Sequence, residues 1–305
     1  MLTDAGPRPP LTPRYWPGWM GVGVIFLLGK LPIRLGLVFS KPLGALLHMT
    51  MKNRRKIAER NIERCFPDWP ESKKKQLVRA CFNSLARTVF EIAWSWSASE
   101  RRFRGLGHVT GLENIDDARK GGRGVLIVTA HISCLEIGGR FLALEVDVAG
   151  IYRPLRSPVL EWYQNRSRLS YGGAMISKRD MRSAIRYLKK GGLVWYAPDQ
   201  DFGPDQSVFA PFFNIQTASL LATHRLAKMT GCAVVPMFPV FDEKIRQYRV
   251  EILPALDSFP GSDASEDLTR INKIMEKHIR SAPEQYWWIH RRFKTRPEGE
   301  PAFYQ

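Results

Sequence analysis

Residues 122–139 read GRGVLIVTAHISCLEIGG, and no other stretch limits the fold so tightly. Val125 to Thr129 is a short run of apolar and β-branched residues, the composition of a strand buried on both faces. It passes through Ala130 into His131, after which Leu135–Leu144 carries a helical pattern. A buried strand feeding a helix belongs in an open α/β sheet, where ligands and catalytic groups sit beyond the carboxyl ends of the strands. An imidazole at that end, with a carboxylate close by, is the simplest general base available near neutral pH.

The rest of the chain repeats the alternation. Strands are expected at 148–152, 174–176, 193–197, 233–240 and 248–252, and helices at 159–169, 181–190, 217–229 and 268–279. This pattern predicts a largely parallel central sheet flanked by helices. Upstream, Leu77, Val78, Cys81, Phe82, Leu85, Val89, Phe90, Ala93 and Trp96 recur at helical spacing, so one long amphipathic helix is expected over 71–96. Its aromatics pack in the core or, in part, face lipid.

The N-terminal region is different. Residues 1–14 are polar and proline-rich, and are expected to be disordered. From Trp16 to Gly29 no residue is charged, and the apolar character continues past Lys30, Arg34 and Lys41 to residue 51. As a helix, 16–29 is roughly 21 Å long, short of a hydrocarbon core of about 30 Å. Three readings compete: a signal peptide, a buried pair of soluble helices, and a membrane anchor over 15–51 with the first helix inserted and the second in the interface. Trp16, Trp19 and the flanking cations favour the anchor. The basic MKNRRK at 51–56 then places the remaining domain, 52–305, on the cytoplasmic face.

Charge narrows the partners. With 46 Lys+Arg against 29 Asp+Glu the net charge is +17, which implies an anionic partner: nucleic acid, an anionic membrane or a phosphorylated substrate. The four cysteines are scattered, without a C-x-x-C pair, against both a zinc site and a disulfide framework.

His131 and Glu136 are five positions apart, about 140° around a continuous helix. They meet only if His131 lies in the turn before the helix and Glu136 in its first turn. Ser133-x-x-Glu136 also has the form of a capping box, in which the glutamate bonds the backbone N–H of the cap. Spacing leaves both readings open. Arg153 and Arg156 follow one strand and Arg166 and Arg168 lie further on; each binds phosphate or carboxylate, or is a solvated surface charge. Asp199 and Asp201 follow another strand as Asp-x-Asp, a form that holds a divalent metal elsewhere, but no Gly-rich phosphate loop or further acidic cluster accompanies it and no metal is expected. VFAPFFN at 208–214 suits an acyl chain or loop packing, and the tail YWWIHRRFKTRP mixes aromatics and cations in a way that fits single-stranded nucleic acid, a membrane surface or a phosphosugar. No Walker motif or G-x-S-x-G elbow is present, and Ser133 and Cys134 adjoin His131 too closely in the chain to face it as nucleophiles.

Taken in order, TAHISCLEIG, YRPLRSP, RSRLS, LKKGGLVWYAPDQDFG, SVFAPFFN and APEQYWWIHRRFKTRPEG resemble the late acyltransferases of lipid A biosynthesis, of the lauroyl (Kdo2-lipid IVA) type. These form a branch of the lysophospholipid/glycerolipid acyltransferase superfamily, whose signature is H-x-x-x-x-[D/E]. The resemblance runs from the N-terminal hydrophobic region to about Pro297. It implies an inner-membrane enzyme, facing the cytoplasm, that moves a fatty acyl group from acyl carrier protein to a hydroxyacyl hydroxyl of an anionic lipid A precursor. It implies no cofactor. It puts the catalytic dyad on His131 and Glu136, and functionally important groups on Arg153, Arg168 and Asp199. A neutral imidazole suits deprotonation of a secondary alcohol attacking a thioester. Both substrates are anionic, so the +17 charge requires no nucleic acid. Two rivals are weighed: a glycerophospholipid acyltransferase, whose glycerol-phosphate motifs are not found, and a non-enzymatic basic membrane- or nucleic-acid-binding protein, which has no use for His131.

Overall fold

The strand runs come together as one seven-stranded sheet in the computed structural model, which describes Met1 and residues 3–304. Leu2, within the expected disordered stretch, and Gln305, the last residue of the expected catalytic domain, lie outside the described residues. In chain order the helices before the sheet are α1 (Trp16–Lys30), α2 (Ile33–Thr50), α3 (Lys52–Cys65), α4 (Glu71–Ser97) and α5 (Glu100–Arg104). Then follow β1 (Gly107–Thr110), α6 (Leu112–Ala118), β2 (Val125–Val128), α7 (Leu135–Glu145), β3 (Val148–Tyr152), α8 (Pro158–Leu169), β4 (Ala174–Ser177), α9 (Met181–Lys189) and β5 (Leu193–Tyr196). A hairpin of β6 (Ser207–Phe212) and β7 (Ile215–Leu220) precedes α10 (Ala222–Thr230), β8 (Ala233–Asp242), β9 (Gln247–Ile252) and α11 (Ala264–Ser281).

The sheet order is β1-β9-β8-β2-β5-β3-β4. From β8 to β4 every pairing is parallel; β9 runs antiparallel to β8, and β1 pairs parallel with β9. The largely parallel α/β sheet is therefore as expected. All four residues of central β2 are buried, as two-faced cover by helices requires.

Some local readings differ. The helix expected over 217–229 begins only at Ala222, because Thr217–Leu220 pairs with Ser207–Ala210 in the hairpin. β-Branched Ile215 and Thr217 and the turn at Phe213–Asn214, both with positive φ, favour that hairpin over an extra helical turn. β1 was missed because Gly107–Thr110 is short and its burial merely alternates, as suits an edge strand.

Helices α1 and α2 lie along α4, the 27-residue helix foreseen at 71–96. The seam is made of small residues. A Cβ on Gly36 would lie 2.5 Å from the Trp94 ring, and one on Gly44 would lie 2.7 Å from Asn83 Cα. The inserted first helix of the expected anchor is corrected here. The α1 helix has 15 residues and stops before Pro32, and among the described residues no helix is long and apolar enough to cross a membrane. The outward faces are nonetheless apolar: Met20, Val24 and Leu27 on α1, and Leu35, Val38, Phe39, Leu46 and Met49 on α2, are exposed. Residues 3–12 form no helix or strand, and the indoles of Trp16 and Trp19 donate to the carbonyls of Leu11 and Pro10.

Candidate active site

Register places the central pair. In the parallel ladder of β2 and β5, Val128 is the partner of Tyr196, and Thr129 N–H donates to Tyr196 O. His131 follows Val128 by three positions and Asp199 follows Tyr196 by three, so both emerge side by side beyond the carboxyl edge of the sheet. The His131 backbone N–H donates to Asp199 Oδ2 at 3.0 Å, and its Nδ1 lies 2.5 Å from Asp199 Oδ1. The carboxylate is almost fully buried while the imidazole keeps 23% of its side-chain surface exposed. Burial by itself would raise the Asp199 carboxyl. The opposing charge of His131, its two hydrogen bonds and the more distant Arg292 outweigh that and hold the carboxyl down to about 2. With Nδ1 turned to the acid, Nε2 is the ring nitrogen that makes no hydrogen bond among the described residues.

Glu136 does not take this position. As the 140° separation demanded, His131 precedes α7 and Glu136 sits in its first turn, yet no hydrogen bond joins them. Glu136 receives two hydrogen bonds from Arg168 at the end of α8, Nε to Oε1 at 2.9 Å and Nη2 to Oε2 at 2.6 Å. Trp96 Nε1, from α4, adds a third at 2.6 Å. Burial pushes the Glu136 carboxyl up, but the Arg168 charge and these donors leave it below its usual value. The capping-box alternative is not formed either: the cap of α7 is Cys134, without a side-chain bond, and Ser133 Oγ faces Arg87 Nη2 at 3.4 Å.

The turn carrying His131 is held from both sides. On one, Thr88 Oγ1 of α4 donates to Ser133 O, and Arg87 is itself buried against Glu91 at 2.9 Å. On the other lies the segment 285–295, most of it the tail whose aromatics and cations fit nucleic acid, a membrane surface or a phosphosugar by composition. Ser133 N–H donates to Gln285 O at 2.7 Å, Trp287 N–H donates to His131 O at 3.0 Å, and the Trp287 ring lies 6.1 Å from the imidazole. Trp288, Arg292 and Phe293 are buried, and Thr295 donates twice to Asp201. Asp201 therefore fixes the loop after β5. Among the described residues no group of three His, Cys, Asp or Glu side chains comes together to hold a metal.

Of the other expected site residues, Arg153 is exposed just past the end of β3, two strands from His131 along the same sheet edge, and pairs with no carboxylate among the described residues. The stretch 208–214 is not an exposed apolar loop: Ala210, Phe212 and Phe213 are core residues of the hairpin. The partner of His131 was legible in one signal that spacing along the chain cannot show. VTAH and WYAPD end two strands that pair in register, each with a titratable residue at the same offset.

Comparison with known proteins adds an independent line. A sequence model of the bacterial lipid A biosynthesis acyltransferases matches residues 8–295. The lipid A biosynthesis lauroyltransferase of Escherichia coli (strain K12) is 40% identical over 295 residues, 96% of either chain. The lipid A biosynthesis palmitoleoyltransferase of the same organism is 38% identical over the same length and coverage. A lipid A biosynthesis myristoyltransferase from that strain is 28% identical over 290 residues, 94% of this chain and 90% of its own. Among solved structures, the 1-acyl-sn-glycerophosphate acyltransferase of Thermotoga maritima aligns at a TM-score of 0.37 and 19% identity, over 81% of this chain and 96% of that one, a likeness too slight to argue from.

Proposed function

Because the chain belongs to the bacterial lipid A biosynthesis acyltransferase family, we propose that it moves a fatty acyl group from acyl carrier protein to a hydroxyl of an anionic lipid A precursor, with His131 as general base and Asp199 as its orienting carboxylate. The observation that carries the mechanism is the 2.5 Å contact of His131 Nδ1 with Asp199. It keeps the proton on Nδ1 and leaves Nε2 to accept one.

In the proposed step, Nε2 takes the hydroxyl proton of the acceptor as its oxygen attacks the thioester carbonyl. Asp199 stabilises the imidazolium so formed. Collapse of the tetrahedral intermediate forms the ester, breaks the C–S bond and returns the proton from Nε2 to the departing thiolate. The N-terminus of α7 offers N–H groups for the developing oxyanion. In this reading Glu136 and Arg168 form the wall beside the base rather than part of the proton relay, and the exposed Arg153 binds an acceptor phosphate.

Attachment to the inner membrane from the cytoplasmic side belongs to the same proposal. The exposed apolar faces of α1 and α2, with Lys30 at the end of α1 and Arg34 and Lys41 exposed on α2, have the make-up of helices lying in a lipid interface.

The test is an assay of membranes carrying wild type, His131→Ala or Asp199→Asn, with a lipid A precursor and acyl-carrier-protein donors of several chain lengths. Transfer by wild type and its severe loss in both variants is expected. Full activity of His131→Ala overturns the mechanism, and acylation of glycerol phosphates alone overturns the substrate.

A further inference from the structure

A second charged feature lies away from His131. Helix α3, the first half of α4 and Arg291 enclose an open groove of about 970 Å³. It holds three carboxylates, and each is taken by a neighbouring cation: Glu59 by Arg55 at 3.5 Å, Glu63 by Arg60 at 3.1 Å and Glu71 by Lys75 at 3.8 Å. Lys56, Lys74, Arg79 and Arg291 remain without a carboxylate partner among the described residues. Three of these four are exposed and Lys74 is half-buried.

We infer that this groove is the docking surface for the acidic protein that delivers the acyl group. The inference rests on the proposed reading of the donor as acyl carrier protein. The spread of the cations decides the class of ligand. A phosphate is bound by donors that converge on one point and are held there by burial. Here the four charges are distributed along two helices and the segment after α11; Lys74 also donates to Pro67 O, and the exposed Lys56, Arg79 and Arg291 are each free to meet a separate carboxylate. That suits an acidic helix lying along the groove and gives charge-steered association.

The groove is also wired to the site. Arg54, at the start of α3, donates to Ile289 O, and Asn61 of α3 donates to the carbonyls of Trp288 and His290. Arg291 thus stands on the segment whose Trp287 holds the His131 carbonyl. On the other wall, Arg79 and the Thr88 that binds Ser133 share α4, roughly 13 Å apart along its axis. A protein seated in the groove has the reacting turn within reach of a flexible prosthetic arm.

The test is steady-state kinetics of the full chain in membranes with Lys56→Glu, Arg79→Glu and the double variant. At low salt the double variant should raise KM for the carrier-protein donor at least tenfold, with kcat and the KM for the lipid acceptor unchanged. Added salt should raise the wild-type donor KM and leave that of the double variant flat. An unchanged donor KM in an active double variant overturns the docking surface, and so does a raised acceptor KM or loss of vesicle binding, which would assign the groove to lipid. No transfer from the carrier-protein donor by wild type refutes the functional reading itself, a result separate from these.

Discussion

His131 and Asp199 are 68 residues apart in the chain and 2.5 Å apart at Nδ1 and Oδ1. One carboxylate accepts from both the ring and the backbone N–H of the histidine, so a single residue sets tautomer and ring orientation. In Asp199→Asn the amide NH2 can face Nδ1, which leaves the proton on Nε2 and the base unable to act. We expect kcat to fall by about 10²–10⁴-fold. A loss of less than tenfold in a membrane assay would show that the carboxylate is dispensable.

Glu136 and Arg168 should behave differently. Glu136→Gln leaves a mostly covered guanidinium without its counter-charge, at a cost of about 3 kcal/mol. Converting the partner as well, in Glu136→Gln with Arg168→Met, should cost less than the two single changes added together. Urea unfolding of the four detergent-solubilised proteins gives the coupling. Additive losses would mean that the bidentate pair contributes nothing of its own.

The pH dependence follows from Asp199. Its carboxyl is held at about 2 against an ordinary 3.8, so the group stabilises the fold fully above pH 4, and the contribution fades as pH falls towards 2. The difference corresponds to about 2 kcal/mol. The stability gap between wild type and Asp199→Asn should therefore narrow as pH falls from about 4 to 2. A gap that widens over that interval contradicts this assignment.

How much of this was legible in the sequence depends on range. The parallel sheet, α4 and the histidine at a strand end follow from periodicities of a few residues. The partner of His131 does not, because it is fixed by the register of β2 on β5, a relation between segments 68 residues apart. Glu136 is the complementary case. It is close in sequence and correctly placed in the first turn of α7, but an arginine from α8 competes for it and wins. The tail after Gln285 misled by composition: Arg292 looks like a surface cation, and in the fold its guanidinium bonds Ala218 O and Ser219 Oγ in the interior.

The two sides of α2 make opposite predictions. Phe39→Glu and Leu46→Glu fall on the exposed face, so they should leave unfolding unchanged while reducing co-sedimentation with anionic vesicles at least tenfold. Gly44→Ala falls on the seam with α4, where the new methyl meets Asn83 backbone, and should cost about 1–3 kcal/mol. Vesicle binding unaffected by both glutamates would remove α2 from the lipid interface.

The segment 285–295 has a consequence in time. A ribosome that has made the chain as far as residue 284 has already supplied His131, Glu136, Arg168 and Asp199. The carbonyl of His131, the amide of Ser133 and the side chain of Asp201 still lack Trp287, Gln285 and Thr295. Synthesis thus delivers the helices with the apolar outer faces first and the clamp of the reacting turn last. A nascent chain built in that order presents those apolar faces before the turn that carries His131 can be clamped.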